Sequence, residues 1–159
     1  MSTIDREQII EQLLGVLDEA FPHPKKPWSY FTDNVPDTGY EGLLVSLSAG
    51  QASQRRCNSS ISAHVNHMIF ALETLAAWIR GERTFRDWAA SWNVHEVDSA
   101  EWERMKSRLK ESYLDARSAL AESALSSPES FGGAVGMIAH AAYHLSAIRY
   151  LLRCTEKDV

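Results

Sequence analysis

The chain has 159 residues, 45% hydrophobic and 23% charged, with a formal net charge of -5. That length suits a single domain, residues 1–159, with a core of its own. The acidic balance and the lack of a basic patch exclude an electrostatic grip on a nucleic-acid backbone, and no apolar run reaches the ~18 residues of a membrane span.

The opening "MSTIDREQII" lacks a basic segment followed by an apolar run, so no secretory signal is expected. Cys57 and Cys154 form no close-spaced metal or redox motif. Two free thiols in a reducing cytoplasm are the expectation, and spacing alone assigns no disulfide.

The first helix is predicted from about Ile4 to about Phe21. Ile10, Leu13, Leu14, Leu17, Ala20 and Phe21 follow the three-four spacing of one helical stripe. Ser2 or Thr3 can cap its start, and Pro22 and Pro24 stop it. A long connection from Pro22 to Tyr40 follows, with a short helical piece expected at Glu41 to Leu47. Connections this long often fold over a site.

The second helix begins at Ser59 or Ser60, runs to Arg80 and stops at Gly81. Val65, Met68, Ile69, Leu72, Leu75, Ala76 and Ile79 give it a broad buried face. A second long connection carries Phe85, Trp88 and Trp92. Asp98 and Glu101 fit a capping box for a third helix from Ser99 to about Leu125. The fourth starts after Pro128 and extends to about Leu152, with Gly132, Gly133 and Gly136 weakening its first turns. An all-α fold follows: a four-helix bundle with long connections between helices one and two and between helices two and three.

Histidines interrupt two of the apolar faces. At about 100° per residue, His144 lies roughly 40° from His140 on the fourth helix. Met137, Ala141, Ile148 and Leu151 share that half of the wheel, so the pair points into the bundle. An i, i+4 pair can bring two imidazole nitrogens to one metal. Helix two offers His64 and His67. The wheel puts His64 inside the apolar face and His67 near its edge, in line with Ala71, Thr74 and Trp78, and either could face the fourth helix. A buried His is more often a hydrogen-bonded structural residue than a ligand. Several facing one another, however, need donors and acceptors that a divalent cation would replace at once. His23 and His95 read as surface residues. Cys57 is about 15 Å of helical rise from His67 and is not a candidate ligand. Trp28, Tyr30, Phe31, Trp78, Trp88 and Trp92 are candidates either for substrate walls or for caps on the core.

Three segments together carry a family resemblance. "LLVSLSAGQASQRR" followed by "SSISAHVNHMIFALETLAAWIRGE", "FRDWAASW" followed by "SAEWERMKSRLKESY", and "GMIAHAAYHLSAIRYLL" occur in an order and spacing that cover nearly the whole chain. In this the chain resembles the DinB-like (DinB/YfiT-type) proteins, four-helix bundles of bacterial origin. The resemblance implies a metal triad of one helix-two histidine and two helix-four histidines, with nickel or zinc. The family's helix-two ligand falls seven residues after the Ser or Thr at the helix start, and counting from Ser60 selects His67. The implied metal ligands are therefore His67, His140 and His144, with His64 as an alternate ligand or a neighbour that supports them. The family often has Gly after the final His-Leu, where this chain has Ser146, which points away from the pair.

The resemblance also implies a homodimer, and for the reaction a metal-dependent transferase using a low-molecular-weight thiol such as bacillithiol or mycothiol. Three neutral imidazoles leave a coordination position open, which suits a thiolate. Metal-dependent hydrolysis is the competing chemistry. It wants a general base, and Glu73 falls on the polar side of helix two while Glu82 lies just beyond it. A non-catalytic metal- or ligand-binding module of a stress response is the remaining alternative.

Overall fold

The structure is a computed structural model that describes residues 4–22 and 27–155. Ser2, Thr3, His23 and Pro24 lie outside the described residues, as does the side chain of Cys154. The described residues form six α-helices: α1 (Arg6–Ala20), α2 (Tyr40–Val45), α3 (Ala49–Ser53), α4 (Ile61–Ile79), α5 (Ser99–Glu122) and α6 (Pro128–Thr155). A 3-10 turn spans Ala90–Trp92, and no strand occurs among the described residues. None of these helices is long and apolar enough to cross a membrane.

The four long helices are α1, α4, α5 and α6, and each packs against two of the others. Helix α4 lies between α5 and α6, and α1 touches the same two helices from the other side. The shared core is closed by Trp102, Phe21, Leu17, Met68, Leu72, Leu120, Met137 and Ile148, all nearly free of solvent. Each large side chain withdrawn in this way contributes about 1.5–3 kcal/mol.

Local chemistry accounts for the boundaries. Asp5 caps α1 through a reciprocal capping box with Gln8, so the helix starts at Arg6, two residues later than expected. Ser60 Oγ accepts from the Ala63 amide at 3.2 Å and fixes the start of α4. Gly81, at φ +92, lets the chain leave α4 in a conformation a side chain would strain. Asp98 and Glu101 form the expected box at α5, which stops at Glu122 rather than Leu125. Helix α6 holds through its three glycines and begins at Pro128, whose missing amide costs nothing in a first turn.

The first long connection is less irregular than its sequence suggests. Helix α2 sits near the place expected, and α3 is an additional short helix with its own capping box between Ser48 and Gln51. Buried Glu19 accepts the Tyr30 amide at 2.9 Å, tying the connection to α1. A Cβ on Gly39 would strike the Phe21 carbonyl, so only glycine lets the chain pass there. The Tyr40 hydroxyl then donates to the Ala141 carbonyl at 3.0 Å, which fastens α2 to the middle of α6 beside the two histidines.

Candidate metal centre

Helices α4 and α6 bring four imidazoles together. His67, His140 and His144 each offer one ring nitrogen, and these three atoms lie within 4.8 Å of one another. Ring centroids are 5.1 Å apart for His67 and His140, 4.9 Å for His67 and His144, and 4.5 Å for His140 and His144. His64 stands beside the group, with its Nδ1 2.9 Å from Nδ1 of His144. His67 and His144 are 4% and 1% exposed, and His64 is 8% exposed. The wheel's preference for His64 as the more buried of the α4 pair is therefore reversed. Fourteen of the nineteen residues of α4 are buried, so a residue at the edge of its apolar stripe is still inside the protein.

The connection between α4 and α5 covers this cluster and is stapled to α4. Asn66 Nδ2 donates to the Ser91 carbonyl at 2.7 Å, and Ser62 Oγ donates to the His95 carbonyl at 2.7 Å. His95, expected at the surface, is only half-buried, and its Nδ1 is enclosed. The stapling sets Trp92 flat on His67, centroids 4.1 Å apart and planes 20° from parallel. Trp92 also meets His64 at 5.1 Å and His144 at 5.4 Å. Trp88 meets His67 at 5.8 Å and His140 at 5.9 Å. Both tryptophans lie against the histidine cluster, and Trp88 also packs against the core. Trp28, Tyr30 and Phe85 are exposed, and Phe31 packs at the edge of the core.

No pattern in the sequence selects Ser91. Its hydroxyl donates to the Trp88 carbonyl at 2.6 Å, which uses its one proton. Its oxygen therefore accepts from Nδ1 of His67, 2.6 Å away. That assigns the His67 proton to Nδ1 and leaves the Nε2 lone pair free. In the His64–His144 contact the shared proton can sit on either Nδ1, and on His144 it leaves that ring's Nε2 lone pair free. Nε2 of His140 is buried and has no hydrogen-bond partner. An enclosed, unpaired imidazole nitrogen is costly unless something binds it.

Electrostatics agree with a ligand set. Burial, and then the neighbouring His140 and His64 rings, push His67 down to about 4. Burial and the other three rings push His144 down to about 3. Burial lowers His64 and His140 as well. All four are neutral at pH 7 and keep lone pairs for a cation. The donor set, three nitrogens with no carboxylate or thiol, fits a borderline divalent transition-series metal better than calcium or magnesium. Cys57 is exposed and stands apart from the cluster.

Comparison of the chain with protein-family models, with curated proteins and with solved structures gave no match.

Proposed function

We propose that this chain is a DinB-like four-helix bundle that holds one divalent cation, zinc or nickel, on His67, His140 and His144. The observation that carries this reading is the convergence of three neutral imidazoles, one of them with a buried Nε2 that nothing else satisfies. The protein's part is to orient the rings. Ser91 fixes His67, His64 buttresses His144, and Trp88 and Trp92 keep water from the ring faces. A homodimer belongs to the same reading and is supported by the uncharged outer face of α6.

The activity we propose is transfer of a low-molecular-weight thiol to an electrophilic carbon. A cation with an open position lowers the pKa of a thiol that binds it and keeps the sulfur as thiolate at neutral pH. The carbon–sulfur bond forms as the leaving group departs from carbon with its electron pair. Hydrolysis is less well supported because the cluster includes no carboxylate. Glu73 is spent on Arg108, 2.9 Å away, and on Ser112. The test is elemental analysis combined with consumption of a thiol in the presence of an alkylating electrophile. Wild-type protein is expected to retain about one metal per chain and to accelerate thiol loss, and His140→Ala to lose both. Unchanged metal content in His140→Ala would remove the site.

The depth of His67 and His144 favours a second reading, a non-catalytic module in which the cation or another ligand braces the bundle. A large metal-dependent rise in melting temperature with no thiol consumption would select it.

A further inference from the structure

A cavity of about 480 Å³ lies between the C-terminal end of α4 and the N-terminal end of α6. Leu75, Trp78 and Ile79 line it from α4, and Gly132, Gly133 and Gly136 from α6. Its two charged lining residues, Arg83 and Glu129, are both exposed. The cavity follows the same helix faces as the histidines. At about 100° per residue, Gly133 and Gly136 fall within roughly 40° of His140, one and two turns before it. Trp78 likewise falls about 20° from His67, three turns after it. The Trp88 ring stands between the cavity and the histidines, 5.9 Å from the ring of His140 and 6.3 Å from that of Trp78.

The glycines are not explained by packing. A Cβ built on Gly132, Gly133 or Gly136 meets nothing within 4 Å. Three glycines also cost helix stability, about 1 kcal/mol each against alanine. What they leave is an open, apolar trough of the size that small molecules occupy.

We infer that this trough takes the apolar tail of the substrate whose reactive group meets the three-histidine centre, so that the substrate class is an elongated, largely apolar molecule. The inference rests on the metal reading above. The tail runs from the histidines past Trp88 and along the glycines, and it ends near the solvent at Arg83 and Glu129. The position fits a tail rather than a head group because the trough offers aliphatic carbon and an indole for contact, with charge only at its exposed residues.

The probes are ethanethiol, butanethiol and hexanethiol, titrated calorimetrically into zinc-loaded protein. The expected result is an affinity that rises roughly fourfold per methylene as the tail is buried. A Cβ on Gly133 meets nothing within 4 Å, and Gly133→Leu adds bulk to the trough wall. It is expected to leave metal content and ethanethiol affinity unchanged while abolishing the dependence on chain length. A flat series in the wild type, or an equally steep one in Gly133→Leu, overturns the inference and leaves the metal site standing. If no thiol binds at all, the open-position reading fails. A methyl-resolved NMR titration with hexanol, which needs no metal, then reads the trough alone. Shifts confined to Leu75 and Ile79 that are lost in Gly133→Leu support it, and their absence overturns it.

Discussion

His67 owes its chemistry to Ser91. A histidine that binds a cation through Nε2 must keep its proton on Nδ1, and the Ser91 hydroxyl, already committed to the Trp88 carbonyl, can only accept that proton's hydrogen bond. Ser91→Ala is expected to weaken zinc affinity about 10–100-fold, measured by chelator competition. Ser91→Thr should restore most of the loss, which a purely steric role would not predict. Protons compete at the same rings. In the metal-free protein His67 and His144 titrate near 4 and 3, below the ~6.5 of an unfolded chain. Between those values the unfolded state binds more protons, so their stabilising effect is present above about pH 6.5 and is lost as the pH falls through the folded values. Urea midpoints of the metal-free protein should therefore drop from pH 7 to pH 4.5, and less steeply in His144→Leu. At this scale the sequence was informative in part. The i, i+4 spacing put His140 and His144 on one inward face. Ser91 lies in an aperiodic connection, where no pattern marks a residue as facing inward.

At the scale of elements, periodicity found the four long helices from their apolar stripes. It ranked His64 as more buried than His67, the reverse of what is found, because α4 is buried over most of its circumference. It also passed over α3, whose Ser48–Gln51 box spans barely more than one turn. Helix α6 shows the opposite case, a face left largely open to solvent. Val135, Tyr143 and Tyr150 are 44%, 68% and 61% exposed there, and no Asp, Glu, Lys or Arg occurs from Ser130 to Ile148. The homodimer proposed above would pair this face with its own copy about a two-fold axis. Light scattering should give the mass of a dimer for the wild type and of a monomer for Tyr143→Glu. A monomeric wild type would remove the dimer from the account.

Across the whole molecule, polar contacts away from the histidines tie the elements to one another. Buried Asp18 of α1 accepts from the Tyr113 hydroxyl at 2.5 Å and from Arg117 Nε at 2.9 Å, both on α5. Arg149 of α6 donates to the Thr38 carbonyl at 2.5 Å and so fixes the first connection. Composition and helical pattern made the all-helical architecture legible, since both act through local chemistry. Trp88 and Trp92 were candidates for walls or for core caps, and the pattern could not choose between the two, because that depends on how a long connection folds back over α4. The most direct test of the three-histidine centre is anomalous diffraction at the zinc edge from crystals of zinc-loaded protein. The account predicts one peak per chain, bound by ring nitrogens of His67, His140 and His144 at about 2.0–2.1 Å, with a further position taken by a non-protein ligand. No peak among these rings, or a cation held by His64 in place of His67, would contradict it.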